Sequence, residues 1–363
     1  MPRLDGLGEY VEIPALEEKE WKAFHLEQIG TITSGRDIYA AERIDGYTPY
    51  ITSGGTNNGV GYFVGNDNDT LDAGYIALNR NGAVGKAFYH QEKSLMGNDC
   101  RKIHLKEADG NLFVGQFVAL CISMQSECFS YSRKLGTARA KQMLIMLPVT
   151  DAGEPDYEYM EKYARQKFEA MLSKYRAYVE ARIAKLGEPI VLPTLEEKEW
   201  REFHIGELFE VSRPTARNKD AYQTGDIPFV ASGSVNNGVT KLCKPFEEEQ
   251  LDDGCCITVS PVDGSTFFQP MNFLGRGGAG SSILMLRCSN LNLYCGQFIA
   301  RAIQQTCSKY TYGHMGNKDS IKRERIMLPV ADSGEPDYEY MEQYTKNMML
   351  RKYHQYLAFL RSR

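Results

Sequence analysis

The spacing of apolar and polar residues changes character along the chain. From Glu154 to Leu186 the apolar positions Phe168, Leu172, Tyr175, Val179, Ile183 and Leu186 recur every three or four residues, the period of an amphipathic helix and close to a coiled-coil seam. Pro155 suits a first helical position, Asp156 and Glu158 suit the N-terminal dipole, and Gly187 with Pro189 beyond it ends the element. A second helix is predicted from Pro336, with its seam at Met349, Tyr353, Tyr356 and Leu360. The matching registers predict that the two helices pack on each other. At 1.5 Å per residue the first would be about 45–50 Å long, enough to hold two domains apart by roughly one duplex turn of ~34–36 Å. Outside the helices the pattern is different. Tyr47–Ala140 is rich in Gly, Asn, Asp and β-formers, with short apolar runs such as Gly74–Leu78 and Lys102–Leu105 between turn signals such as Asn58-Gly59 and Asn81-Gly82. This predicts a small β-rich domain, in which Leu112–Met124 is a buried helix, and Leu293–Ile303 reads as a buried helix in the same way.

The pattern occurs twice. Pro14–Phe24 (PALEEKEWKAF) returns as Pro193–Phe203 (PTLEEKEWREF), 179 residues on, each followed by a histidine, His25 and His204. Tyr50–Val60 (YITSGGTNNGV) returns as Phe229–Val239 (FVASGSVNNGV), Leu71–Gly74 as Leu251–Gly254, and Asn111–Ala119 (NLFVGQFVA) as Asn292–Ala300 (NLYCGQFIA). Ile145–Tyr163 (IMLPVTDAGEPDYEYMEKY) returns as Ile326–Tyr344 (IMLPVADSGEPDYEYMEQY). A unit of half the chain is a duplicated domain rather than a solenoid repeat. The copies diverge at 75–104 against 255–290, where Asn79–Lys86 (NRNGAVGK) faces SPVDGSTF, and at 125–142 against 306–323. One scaffold with two interiors suits a protein that reads two targets; freely drifting loops are the alternative. Leu7-Gly8-Glu9 before Pro14 matches Leu186-Gly187-Glu188 before Pro193, so the chain is expected to close on itself with its ends near each other.

Bulk properties narrow the class. A length of 363 residues favours two domains, and 42% hydrophobic residues can bury real cores. No apolar run approaches the ~18 residues of a membrane span, and Met1–Tyr10 has no signal pattern. Nine cysteines, with Cys255 and Cys256 adjacent and no CxxC, point to free thiols in a reducing cytoplasm rather than to disulfides or zinc. The net charge of −5 argues mildly against DNA binding. Local charge answers that objection. Ser132–Met143 holds Arg133, Lys134, Arg139 and Lys141 without an acid, beside Tyr131. The matching stretch 309–325 holds Lys309, Lys318, Lys322, Arg323 and Arg325 against Asp319 and Glu324, with Tyr310 and Tyr312. Such groups position a duplex by phosphate contact. Asn79, Arg80 and Asn81 suit base edges, since Asn pairs with adenine and Arg with guanine. Lys86 and the polar residues of the shared segments, Ser53, Asn57 and Asn58 with Ser232, Ser234, Asn236 and Asn237, complete the candidate contacts.

Catalytic patterns are weaker. Adenine methyltransferases use an Asn/Asp-Pro-Pro-Tyr/Phe loop, and no Pro-Pro pair occurs; Thr48-Pro49-Tyr50 is the nearest approach. A nuclease needs clustered carboxylates and a lysine around Mg²⁺. Glu17-Glu18-Lys19 and Pro155-Asp156 are better read as a surface entry segment and a helix start. Gly275–Gly280 (GRGGAG) resembles a phosphate cradle, but Ser281–Leu286 after it reads as a strand, so a hairpin turn with Arg276 at its tip is expected. His25 and His204 read as core or surface residues rather than ligands.

In their order, repeated twice, the EEKEW segment, SGG/SGS-x-NNG, the GQF helix and IMLPV leading into PDYEYME resemble the specificity subunits of type I restriction-modification systems and the similar type IIB subunits. The resemblance runs from Pro14 to Arg363. It implies an α+β protein with target-recognition domains at 1–152 and 189–333, alternating with long helices at 153–188 and 334–363 that pack as an antiparallel coiled coil with pseudo-two-fold symmetry. Each domain would read one half of a gapped double-stranded DNA site. The helices would bind methyltransferase subunits, two of them, and a restriction or translocase subunit where the system has one. S-adenosylmethionine, Mg²⁺ and any ATP would belong to those partners, leaving this chain no cofactor, metal or catalytic residue. Two other classes stay open: a self-contained DNA-modifying or cleaving enzyme, and a protein scaffold with no DNA role.

Overall fold

The computed structural model describes residues 13–128, 134–278 and 280–361. Its contacts divide it into two units, residues 5–177 and, chiefly, residues 178–363, each holding one copy of the repeat.

In the first unit β1 (Trp21–His25), α1 (Leu26–Ile29) and β2 (Gly30–Ser34) lead into β3 (Asp45–Ile51) and β4 (Val60–Val64). Then follow β5 (Tyr75–Asn79), β6 (Ala87–His90), β7 (Leu95–Met96), β8 (Cys100–Leu105), α2 (Leu112–Met124), α3 (Thr137–Lys141), β9 (Leu144–Pro148) and α4 (Tyr157–Leu186). Three sheets result: an antiparallel β2-β8-β5-β6, a mixed β4-β3-β7 in which β7 runs parallel to β3, and a two-stranded β1-β9. Strand β5 is central and buried along its whole length, which explains its unbroken apolar run. Helix α2 packs on this sheet, where Ile76, Leu78, Ile103, Val114, Val118 and Ile122 form the core. The glycine of the GQF motif has a steric cause: a Cβ on Gly115 would lie 2.2 Å from the Tyr89 ring, and on Gly296 2.3 Å from Phe268.

The second unit repeats this order: β10 (Trp200–His204), α5 (Ile205–Leu208), β11 (Glu210–Ser212), β12 (Thr224–Val230), β13 (Val239–Cys243), β14 (Cys256–Val259) and β15 (Thr266–Gln269). It continues with β16 (Leu274–Gly275), β17 (Leu284–Arg287), α6 (Leu293–Cys307), α7 (Lys318–Arg323), β18 (Arg325–Pro329) and α8 (Tyr338–Arg361). Its sheets, β11-β17-β14-β15, β13-β12-β16 and β10-β18, have the topology of the first. Within this unit the Asn347 side chain brackets the Ile190 backbone (2.7 and 3.2 Å), and Arg182 lies close enough to Tyr353 for that hydroxyl to raise its pKa. The last turns of α4 and the start of the linker therefore run antiparallel to α8.

The repeated motifs build a clamp in each unit, where the segment opening the repeat meets the start of its long helix. Lys19 pairs with Asp156 at 2.7 Å and lies over the Tyr159 ring; Tyr159 Oη donates to the Pro14 carbonyl and Trp21 Nε1 to that of Leu16. Lys198–Asp337, Tyr340–Pro193 and Trp200–Leu195 repeat every contact. Asp156 also accepts from the Tyr159 N–H at 3.0 Å, so it caps α4. Burial alone would raise the Asp156 pKa; the hydrogen bonds from Lys19 and Tyr159 outweigh it and hold the carboxyl below its usual range. A second tie is Asn111, which caps α2 by accepting from Phe113 and Val114 and donates to Glu161 on α4 at 2.8 Å; Asn292 does the same with Glu342.

Three expectations change. The long helix begins at Tyr157, because residues 150–156 form a turn in which Pro155 bridges Val149, leaving Asp156 rather than Pro155 at the boundary. Lys19 belongs to the clamp and is largely buried, not part of a surface entry segment. Gly275–Gly280 joins strands of two different sheets, so it is a crossover rather than a hairpin.

Asp156→Ala removes a cap and leaves Lys19 without its partner, and should destabilise its unit by about 2 kcal/mol. The chain has two tryptophans, one per clamp. Urea unfolding followed by Trp21 fluorescence in a Trp200→Phe background checks this; an unshifted midpoint would contradict the clamp.

Candidate nucleic-acid interface

The shared Ser-Gly segment ends in an unusual turn. Asn57, Asn58 and Gly59 have φ of 51°, 53° and 70°, and Asn236, Asn237 and Gly238 have 50°, 56° and 75°. Asn and Gly are the residues that tolerate this left-handed region, which accounts for the Asn-Asn-Gly motif. Equal hydrogen bonds close both turns, Thr52 N–H to Gly59 O and Ala231 N–H to Gly238 O. All four asparagines and Ser234 are exposed, while Ser53 and Ser232 are half-buried.

Around this common element the copies differ. In the first, Asn79 is fully buried: its Nδ2 donates to Gly54 O at 2.8 Å and its Oδ1 accepts from Cys100 Sγ at 3.4 Å. It supports the loop from within and presents no edge to a base, contrary to the sequence expectation. Asn81 is tied to Asp99. Arg80 is half-exposed beside Arg101, a cation that the sequence reading passed over; Arg101 is buried and bonds Thr137 Oγ1 and the carbonyls of Asn98 and Cys100. Burial, then the adjacent Arg80 charge, lower the Arg101 pKa. Lys86, Lys134, Arg139 and Lys141 are exposed; Arg139 and Lys141 lie on α3, and Arg139 donates to Lys134 O. Tyr131 and Arg133 lie outside the described residues.

In the second copy Asn237 donates to Phe268 O and Gln269 Oε1, and Ser232 Oγ donates to Ser281 O at 2.9 Å. Arg276 is half-exposed. Lys318 and Lys322 line an open groove with Gly206–Val211 and Arg287, whose Glu207 and Glu210 offset part of the charge. Arg323 and Tyr312 are exposed. Lys309 pairs with Glu324 at 2.6 Å, which leaves less of its charge for a phosphate. Tyr310 is 3% exposed and donates to Glu324, with burial raising its pKa; it is a core residue, not a stacking platform. The two copies also differ in a charged contact. Asp72 is met by Lys102 and His104, each at 2.9 Å, whereas Asp252, at the matching position, is met by Arg217 from another part of the chain. Burial opposes ionisation of Asp72, but the hydrogen bonds from Lys102, the Ala73 N–H and His104 together bring its pKa to about 2.

A duplicated frame whose loops and cations differ between copies defines a two-headed nucleic-acid reader. The family described as type I restriction modification DNA specificity domain matches twice, over residues 18–174 and 197–356. The chain belongs to this family, and is a DNA-specificity subunit of a restriction-modification system with two tandem target-recognition domains. Such a subunit binds DNA and works within an assembly. The specificity subunit S.BcgI of a type II restriction enzyme from Heyndrickxia coagulans is 25% identical over 336 residues, 91% of this chain and 94% of its own. The type I S subunit of M. genitalium overlays 96% of this chain and 94% of its own, at 12% identity and a TM-score of 0.49. The HsdS subunit of Thermoanaerobacter tengcongensis overlays 94% and 91%, at 14% and 0.31. At such scores the overlays add nothing to the family match. Among the described residues no helix is long and apolar enough to cross a membrane.

One difference between the copies is set by pH. His90 is 8% exposed, with no hydrogen-bond partner for Nε2 among the described residues, and burial lowers its pKa to about 4. Gln269, at the matching position opposite Cys256, instead bonds Asn237 O and Thr258 Oγ1. His90 is neutral in the folded chain, and unfolding frees it to take a proton below its ordinary value near 6.5. Stability present above pH 6.5 is therefore lost as pH falls toward about 4. His90→Gln should remove up to about 2–3 kcal/mol of that decline, read from urea midpoints of the Trp21-reported unit at pH 4 and 7; an unchanged decline would contradict the assignment.

Proposed function

We propose that this chain reads a two-part, gapped DNA sequence, one half through each copy, and docks two methyltransferase subunits on surfaces contributed by its two long helices, with a restriction or translocase subunit where its system has one. The observation that carries this reading is the duplicated frame, equal at its clamps and turns and unlike in the loops beside them. A duplicated frame supports two equivalent docking positions, and unlike loops support two different half-sites. The acidic balance of the chain fits a subunit whose partners supply much of the phosphate contact. We place S-adenosylmethionine, Mg²⁺ and any ATP with those partners, and methyl transfer and cleavage as well. Asp156, the carboxylate nearest a nuclease pattern in the sequence, is engaged by Lys19 and the start of α4. The assembly is expected to act in the cytoplasm, where its DNA lies.

A genome-wide methylation map with and without the gene tests this. Loss of one gapped motif is expected on deletion; an unchanged map favours a scaffold and refutes the reader. The purified chain alone, incubated with DNA, Mg²⁺ and S-adenosylmethionine, should show no methylation or cleavage, and turnover without a partner would refute the non-catalytic role.

A further inference from the structure

The Ser-Gly-x-x-Asn-Asn-Gly segment offers the same turn in both copies and differs only at Gly55-Thr56 against Ser234-Val235, so the larger differences between the copies lie beside it. Two connections differ in length. The loop from β5 to β6 is closed by Asn79 N–H to Lys86 O in the first copy and by Ser260 N–H to Ser265 O in the second, where it is two residues shorter. The loop after β7 starts equivalently, with Gly97 N–H to Ile51 O and Arg276 N–H to Val230 O. It reaches the equivalent strand positions at Arg101, opposite Leu78, and at Leu284, opposite Val259, so in the second copy it is four residues longer.

Each copy fills the flank of the shared segment with its longer loop. In the first, Ala83 N–H donates to Ser53 O and Asn79 Nδ2 to Gly54 O, while a Cβ on Gly55 would stand 3.1 Å from that of Ala83. In the second the β5–β6 equivalent turns away. A Cβ on Gly264 would lie 2.0 Å from Cys307 O, and Pro261 O accepts from Gly316 N–H. Ser260, Pro261, Gly264 and Ser265 are buried, and the exposed residue is Asp263, an anion that repels phosphate. The flank is approached instead from the other loop: Ser232 Oγ bonds Ser281 O, Gly277 bridges Ala216, and Gly278 and Gly280 are exposed.

We propose that the two half-sites are read by non-equivalent loops: the first by residues 80–86, with Arg80 at the base edges, and the second by Arg276–Gly278 and Gly280–Ser281, with Arg276 in that role. The shared turn contacts both half-sites alike and carries no sequence information. Arginine suits bidentate contact with guanine, and the glycines on either side of Arg276 let backbone approach the groove closely. This rests on the proposal above that each copy reads one half-site.

The test uses the assembled methyltransferase complex with the full chain, and reads methylated motifs by single-molecule sequencing. Arg80→Ala should relax one or two positions of one half-site by roughly 5- to 100-fold and leave the other half intact. Arg276→Ala should do the same to the other half, and Asp263→Ala should change neither. If an alanine variant abolishes methylation, Arg80→Lys and Arg276→Lys keep the charge without the planar fork and should give the relaxed motif. The proposal is overturned if Asp263→Ala alters a half-site, if both arginines act on the same half, if neither changes the motif, or if either only weakens all sequences equally. A wild-type complex that methylates no two-part motif would instead sink the underlying reading.

Discussion

Each unit depends on one partly buried ion pair, Lys19–Asp156 in the first and Lys198–Asp337 in the second. A domain that reads DNA through loops must hold those loops on a frame whose own ends are fixed. The pair provides this by joining the segment that opens the repeat to the first turn of its long helix, 137 residues later along the chain. Desolvation works against any partly buried pair. Here the carboxylate also caps the helix, the ammonium lies over a tyrosine ring, and that tyrosine's hydroxyl returns to the opening segment. The charges are therefore satisfied by several groups, and removing one leaves the others unmatched. That interdependence explains why EEKEW and PDYEYME recur nearly unchanged.

From the clamp outward the constraint weakens. The Asn111 and Asn292 caps fix each sheet-covering helix to the long helix, and the close glycine–aromatic contacts fix it to the sheet. The Asn-Asn-Gly turns are held by backbone conformation. Beyond them the chain is free to differ in loop length, in the cation that meets Asp72 or Asp252, and in the choice of His90 or Gln269. A subunit that must present two different surfaces from one architecture gains from this gradient. Changes in the loops alter what is contacted without reaching the groups that hold the fold.

Much of this was legible in the residues alone. Periodicity located both long helices, and the repeat located the frame and the diverging loops. The helix start was misplaced by three residues because Pro155, a good first helical residue, was instead drawn into a bridge with Val149. Side-chain direction was not legible. Asn79 and Arg80 are neighbours in a polar loop, yet one is fully buried and the other half-exposed, since alternate residues at a strand end face opposite ways. Tyr310 lies in a basic stretch but closes over the core, with its hydroxyl on Glu324. Arg101 was passed over because it sits within a strand, where composition gives no sign that a cation is held against carbonyls.

The central claim is that one frame carries two independent readers. It is tested most directly by replacing residues 197–356 with a second copy of residues 18–174 and sequencing the DNA methylated by the assembled complex. The account predicts a gapped motif in which both halves specify the same bases, those of the first half-site. Retention of two different halves, or a single undivided motif, would contradict it.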